Sequence, residues 1–128
     1  MRPSSPARAA AEPPTAVPVL TYHAIAARPE DLAAWTPGAR LYVVTLDEFV
    51  RHLDHLASHG FSTVSMAAFA RWLGGAGELP ERPVVVSFDD GHASNATLAA
   101  PALRERGQRG IFFVTAGRVG RDPSFVTW

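Results

Sequence analysis

Apolar residues fall in short runs separated by turn-forming segments, which predicts an alternation of strands and helices. Four runs read as strands, because they are short, apolar and bounded by polar or glycine-rich segments. Three of them are predicted to be buried, and Pro83–Phe88 is nearly continuous in apolar residues, as a strand buried on both faces of a parallel sheet must be. The four predicted strands are Val17–His23, Phe61–Val64, Pro83–Phe88 and Gly110–Gly117.

The clearest predicted helix lies between the first two of these strands. Thr45 and Glu48 form a T-x-x-E capping box, in which each side chain bonds the backbone N–H of the other residue. Gly60 ends the run, as glycine commonly does just beyond a helix. Apolar residues follow the capping box at helical spacing, namely Leu46, Phe49, Val50, Leu53, Leu56 and Ala57.

Two further helices are predicted, one before and one after the strand Pro83–Phe88. Ser65 can cap a helix that runs to about Leu73, and the second runs from about Asn95 to Arg106. Pro101 predicts a kink or a restart in the latter, because proline lacks the N–H that a helix interior needs. The first of the two is expected to bury Met66, Phe69, Ala70 and Leu73. Residues 24–41 are predicted to be a loop, and the overall alternation favours an α/β fold with parallel strands.

Composition narrows the class of protein. A chain of 128 residues with 47% hydrophobic and 19% charged residues fits one globular domain, predicted at residues 17–128 after a disordered leader or linker at residues 1–16. The formal net charge is zero, so no basic footprint predicts nucleic-acid binding. No apolar run reaches the roughly 18 residues of a membrane span. The absence of Cys excludes disulfides and thiolate metal ligands.

Candidate chemistry lies directly after the most apolar strand. Asp89 and Asp90 follow that strand in the run VVVSFDDGH, and in parallel α/β folds functional groups gather at the C-terminal ends of strands. Gly91 permits a sharp turn, so both carboxylates are predicted to approach one pocket instead of opposite faces of the sheet.

Three interpretations of this acidic pair stay open on residue types alone. One carboxylate could bind a divalent metal while its neighbour acts as a general base toward water. The pair could instead hold Mg²⁺ beside a phosphate, as in receiver domains or phosphatases. The third interpretation is structural, because an Asp at a strand end often bonds the backbone of the following turn.

The five histidines divide by their predicted positions. His52, His55 and His59 lie opposite the apolar stripe of the first helix, so they are predicted to face solvent and not to form a metal cluster. His23 ends a predicted strand at the same edge of the sheet as the aspartates. His92 follows them closely, and both are candidates to line the site, against the alternative of ordinary strand-end or surface side chains.

Four segments together resemble the polysaccharide deacetylases of the NodB-homology type (carbohydrate esterase family 4). The resemblance covers Val17 to Trp128, and SFDDG corresponds to the family motif usually written TFDDG, with Ser87 in place of Thr. It implies the N-terminal part of a distorted (β/α)7 barrel and metal-dependent removal of acetyl groups from sugar polymers. The segments are VPVLTYH, TLDEFVRHLDHLASHGFSTVS, LPERPVVVSFDDGH and GIFFVTAG.

The resemblance also implies roles for single residues. Asp89 matches the catalytic base that activates water, and Asp90 matches a ligand of the metal, usually Zn²⁺. His23 matches a histidine near the substrate site in members that act on surface polysaccharides. His92 stands where an aromatic residue is more usual. The implied partner is an acetylated polysaccharide or amino-sugar oligomer, and such proteins usually act at the cell envelope or outside the cell.

The second motif of that family, H-[ST]-x-x-H, which supplies two more metal ligands, does not occur in this sequence. A catalytic zinc needs about three protein ligands. The sequence therefore predicts a domain truncated within its reading frame, with the second metal motif encoded downstream and no activity for the 128 residues alone. The alternative is a non-catalytic remnant that binds a carbohydrate or a partner chain.

Overall fold

The computed structural model describes residues 13–128, so residues 1–12 of the predicted leader lie outside the described part. Its secondary structure alternates as an α/β protein requires. The strands are β1 (Val19–Tyr22), β2 (Ala24–Ala26), β3 (Val43–Thr45), β4 (Ser62–Thr63), β5 (Pro83–Phe88) and β6 (Ile111–Phe112). The helices are a 3₁₀ helix (Pro29–Ala34), α1 (Pro37–Arg40), α2 (Leu46–Ser58), α3 (Met66–Leu73), a π-helical turn (Asn95–Ala99) and α4 (Ala100–Glu105).

The main sheet is parallel throughout, and β5 is its central strand. β1 lies along one edge of β5, with Val19 opposite Val85 and Tyr22 opposite Phe88. β4 pairs with the beginning of β5 and β6 with its end. Parallel pairing brings the C-terminal ends of β1, β5 and β6 to the same side of the molecule, which confirms the α/β class with parallel strands.

A second, two-stranded parallel sheet includes part of the segment for which the sequence predicted only a loop. β2 and β3 pair with Ile25 opposite Val44, and the 3₁₀ helix and α1 connect them. The loop prediction for residues 24–41 was therefore wrong. The connecting helices are short and start with Pro29 and Pro37, so no sustained helical period marks them in the sequence.

The core lies between α2 and one face of β5. Phe49 and Leu53 of α2 are fully buried against Val86 and Phe88 of β5. The capping box is confirmed, because Thr45 accepts a hydrogen bond from the Glu48 N–H while Glu48 accepts one from the Thr45 N–H. The two hydrogen bonds that the Glu48 carboxylate accepts, from the N–H and from the hydroxyl of Thr45, lower the pKa of Glu48.

The opposite face of β5 packs against fewer buried residues. Val85 packs there with Val64 and Ile111, which form a second, smaller core cluster. Every residue of β5 is buried, as predicted. The predicted buried face of α3 was wrong, however, because Met66 is 43% exposed and Leu73 is 65% exposed.

The outer strands are also more exposed than their sequence predicts. Val19 of β1 is 51% exposed, and β6 covers only two residues of the predicted strand Gly110–Gly117. Phe112 and Phe113 are exposed as well. The predicted burial of these two strands was wrong, because strands at the margins of a sheet gain cover only where another element packs on them.

The predicted restart at Pro101 is confirmed. A π-helical turn ends at Ala99, and α4 starts at Ala100 with Pro101 in its first turn. Proline is tolerated in that position because its missing N–H has no partner there in any helix. Within residues 13–128, no helix is both long and apolar enough to cross a membrane.

Candidate functional site

The segment after β5 turns sharply through two residues in the left-handed region. Asp90 has a φ of 73° and Gly91 a φ of 76°, and Asp90 is the one described residue other than glycine with a positive φ. Asp and Gly tolerate this conformation better than most residues, and Asp-Gly is a preferred pair for it. The sequence had assigned the turn to Gly91 alone, so the left-handed conformation of Asp90 adds to that prediction.

Backbone hydrogen bonds hold this turn in place. The N–H of Asp89 donates to the carbonyl of Tyr22 at 2.9 Å, which extends the pairing of β1 and β5 by one step. The carbonyl of Asp90 accepts from the N–H of Thr115 at 3.2 Å. The carbonyl of Gly91 accepts from the N–H of Val126 at 2.9 Å. The conformation of the acidic turn therefore depends on the chain that follows β6.

The structure brings three of the four predicted site residues together. A cavity of about 530 Å³ is lined by Asp90, His23 and His92, within the usual range for ligand sites. Asp89 does not line it, although it precedes Asp90 directly. The predicted convergence of both carboxylates on one pocket is thus seen for Asp90 only.

Aromatic side chains form much of the remaining wall. The ring of Tyr42 lies 5.1 Å from that of His23, and the ring of Trp35 lies 5.2 Å from that of His92. Phe125 lies 6.3 Å from His92 on another side. All three aromatic residues line the cavity, and sequence reasoning missed them. The available signal was the presence of two aromatic residues, Trp35 and Tyr42, in and directly after the predicted loop.

One cation also borders the cavity. The guanidinium of Arg118 lies 4.7 Å from the centre of the Phe125 ring, in cation–π contact. Arg118 gave no signal in the sequence, because it follows a glycine in a segment without periodic pattern. The cavity therefore combines a carboxylate, a guanidinium, two imidazoles and an aromatic wall.

His92 is half-buried in this wall. Its Nδ1 lies 2.8 Å from the hydroxyl of Ser94, whose Oγ accepts a hydrogen bond from the N–H of Ile25 at 2.9 Å. Burial lowers the pKa of His92, and the charge of Asp122 opposes that shift. The neutral imidazole is therefore favoured over its charged form.

The described residues do not fit a complete metal site. Among residues 13–128, no group of three or more His, Cys, Asp or Glu side chains is placed to hold a metal ion. Asp90, His23 and His92 share a cavity without forming such a group. A zinc site needs about three protein ligands, so the part of the chain described here provides at most a portion of one.

Three histidines are exposed, as the helical wheel predicts: His52 and His55 in α2, and His59 directly after it. His55 and His59 stack with ring centres 4.0 Å apart. His52 differs from them, because its Nδ1 lies 3.0 Å from the hydroxyl of Tyr22. Burial raises the pKa of Tyr22, so that hydroxyl stays protonated and can donate to His52.

This difference predicts unequal effects of substitution on stability. The double substitution His55→Gln and His59→Gln is expected to change the free energy of unfolding by no more than about 0.5 kcal/mol, as for most surface positions. His52→Gln is expected to cost up to about 1 kcal/mol if the Tyr22 hydroxyl loses its partner. Urea unfolding followed by circular dichroism measures both. An equal and large loss for the double variant would contradict the solvent-facing assignment.

Comparison with known protein families places the chain beside one group. Residues 76–127 match the family model described as polysaccharide deacetylase. Over 109 residues the chain is 28% identical to YxkH of Bacillus subtilis, which is named as a polysaccharide deacetylase; the match covers 85% of this chain and 35% of YxkH. The segment that matches the family model includes the acidic turn, Arg118 and Phe125.

Solved structures agree with this match. IcaB from Ammonifex degensii superposes with a TM-score of 0.71 at 33% identity, over 88% of this chain and 45% of that protein. A de-N-acetylase from Aggregatibacter actinomycetemcomitans superposes with a TM-score of 0.74, over 88% of this chain and 47% of that protein; at 23% identity it supports the fold alone. The chain thus spans less than half the length of these relatives.

Proposed function

Because this chain belongs to the polysaccharide deacetylase family, of whose domain it carries the N-terminal part, we propose that it supplies part of a hydrolase site that removes acetyl groups from amino-sugar polymers. The observation that carries the proposal is the cavity at the end of β5. It holds Asp90 on a left-handed turn beside two histidines and an aromatic wall. The reaction is hydrolysis of an acetamide, which releases acetate and a free amine.

The two carboxylates have separate roles in this proposal. Asp89 is the general base, which accepts a proton from water as the water oxygen adds to the acetyl carbon. The C–N bond then breaks, and the leaving amine takes up the proton that Asp89 accepted. The Asp89 carboxylate has no hydrogen bond or ion pair with other residues among 13–128, so it is available as a base. Asp90 faces the cavity and is the proposed ligand for a divalent metal, with Zn²⁺ the first candidate.

The cavity wall supports a sugar substrate. Aromatic rings suit the apolar faces of pyranose rings, while imidazole and guanidinium groups can bond sugar oxygens. We assign His23 and His92 to substrate contact, with Trp35 and Tyr42 as the surfaces beside them. This assignment rests on their common cavity.

We also propose that the parallel sheet is part of a distorted (β/α)7 barrel and that the 128 residues alone are inactive. The exposed apolar residues of β6 and the chain after it, Phe112 and Phe113, support the first point, because a barrel would cover them. The lack of a three-ligand group within residues 13–128 supports the second.

The same lack of a metal group favours one alternative, a non-catalytic remnant that binds a carbohydrate or a partner chain. The two readings differ in their dependence on metal. A remnant would bind an acetylated amino-sugar oligomer equally well with and without a chelator. It would also bind Zn²⁺ no better than an Asp90→Ala variant.

A chimera tests the proposal. Residues 17–128 would replace the corresponding part of IcaB from Ammonifex degensii. That protein superposes on 88% of this chain. We expect the chimera to bind a divalent metal and to release acetate from an N-acetylglucosamine tetramer, and the 128-residue chain to do neither. A well-folded chimera that binds the tetramer equally well with and without a chelator and releases no acetate would favour the remnant.

A further inference from the structure

The two ring nitrogens of His92 lie in different surroundings. Nδ1 lies 3.2 Å from the backbone nitrogen of Ser94 and 2.8 Å from its Oγ. Nε2 forms no hydrogen bond with any residue in the range 13–128, and the ring lines the cavity that also contains Asp90. Trp35 and Phe125 border the ring on the cavity side.

These contacts determine which nitrogen carries the proton in the neutral ring. A backbone N–H can only donate, so the 3.2 Å contact with the Ser94 N–H favours Nδ1 of His92 as an acceptor. The hydroxyl of Ser94 accepts from the N–H of Ile25 at 2.9 Å, and its own hydrogen is left to donate to Nδ1, which lies 2.8 Å away. Nδ1 therefore receives two donors, and the single hydrogen of the neutral imidazole is on Nε2.

We propose that Ser94 is a positioning residue that fixes His92 as the Nε2–H tautomer and thereby gives the cavity a hydrogen-bond donor for a sugar oxygen. The identity of that ligand rests on the proposed function. The tautomer itself does not, because it follows from Ser94 and Ile25 alone. His92 lines the same cavity as Asp90, so the donor would serve a ligand that occupies the cavity with the carboxylate.

A simpler role would also explain the contact between His92 and Ser94. Nδ1 of His92 accepts from the N–H of Ser94, two residues later, at the start of a helical segment. Such a contact resembles that of an Asx turn or a helix cap. In that case Nδ1 would matter for folding, and Nε2 would have no function. The two roles use different nitrogens, so substitutions that mimic one nitrogen at a time can separate them.

Imidazole ¹⁵N NMR on the 128-residue chain reads the tautomer directly, because protonated and unprotonated ring nitrogens have distinct shifts and couplings. We expect one set of His92 signals with the hydrogen on Nε2. Ser94→Ala removes the hydroxyl at 2.8 Å and leaves only the longer, 3.2 Å contact with the backbone N–H, so it should give a mixture of the two tautomers. Ser94→Thr keeps the hydroxyl and should preserve the single form. A hydrogen on Nδ1 in the wild-type chain, or no change in Ser94→Ala, would overturn the proposal.

Binding of an N-acetylglucosamine tetramer, followed by ligand-detected NMR, tests the use of the donor. His92→Asn keeps an acceptor near the Nδ1 position and should preserve the melting temperature while affinity falls roughly fivefold to tenfold, the loss of about one hydrogen bond. His92→Gln keeps a donor near the Nε2 position and should show the reverse pattern. Unchanged affinity in His92→Asn would leave only the capping role and overturn the donor. If the wild-type chain binds no tetramer, the proposed function loses support, while the NMR tautomer still decides the role of Ser94.

Discussion

Replacing Asp89 with Asn in the chimera is expected to lower the rate of acetate release about 100-fold or more while the divalent metal stays bound. The amide of Asn is nearly the same size as the carboxylate but cannot accept the proton of the attacking water, and loss of a general base typically costs 10² to 10⁴ in rate. Asp89 lies outside the cavity lining, so its replacement should leave the metal ligands in place.

Asp90→Ala is expected to act differently, because it removes a side chain that lines the cavity. Metal affinity and activity should fall together when a metal ligand is lost. Isothermal titration with Zn²⁺ and an acetate assay on the same preparations measure both quantities. The alanine also occupies a left-handed position, so its folding must be checked; Asp90→Asn, which tolerates that conformation, provides the second variant.

Asp47→Asn is the matched control for these two substitutions. Asp47 lies on the exposed side of α2 and forms a surface ion pair with Arg51. Neither metal affinity nor activity should change in it, because surface ion pairs contribute little. The opposite pattern in the test variants, with metal lost in Asp89→Asn and kept in Asp90→Asn, would reverse the assignment of base and ligand.

Gly91→Ala is expected to destabilise the chain by about 2–5 kcal/mol. A Cβ on Gly91 would lie 3.0 Å from Cγ1 and 3.2 Å from Cα of Val114, closer than packed atoms normally approach. The left-handed backbone adds a strain of about 1–2 kcal/mol for any L-residue, and overpacking adds about 1–3 kcal/mol. The sum is a large part of the 5–15 kcal/mol typical of a whole domain. Urea unfolding of the 128-residue chain measures it.

Gly107→Ala separates the two contributions. Gly107 also has a positive φ, of 62°, but nothing lies within 4 Å of a Cβ placed there. Its substitution should therefore cost only the strain, about 1–2 kcal/mol. Equal losses at the two glycines would show that contact with Val114 does not limit the residue at position 91. A loss confined to Gly91 would show that the strain is small and the contact dominates.

The sequence by itself determined the elements whose signals are local. The capping box of Thr45 and Glu48, the exposed histidines of α2 and the restart near Pro101 depend on residues within a few positions of each other. The central strand β5 was equally clear, because its sequence is a nearly continuous apolar run, and the structure buries all six of its residues. The position of the acidic pair at the end of this strand followed from that reading.

Tertiary structure decided what depends on neighbours distant in sequence. The sheet β2–β3 forms only because residues 24–26 meet residues 43–45 across two short helices, and no periodicity marks such short elements. The burial expected for α3 and for the strand at Gly110–Gly117 was wrong, because an apolar residue is buried only where another element covers it. The type of an amino acid does not show whether another element packs over it.

The cavity likewise depends partly on the sequence alone and partly on the tertiary structure. The sequence identified Asp90, His23 and His92 as candidates, but only the fold shows that Trp35, Tyr42 and Phe125 join them and that Asp89 does not. The contacts that orient His92 run from Ser94 to Ile25, 69 positions earlier in the chain. Residue type and local spacing thus specify which groups can do chemistry. The orientation of these groups depends on hydrogen bonds and packing contacts that form only when distant segments of the chain come together.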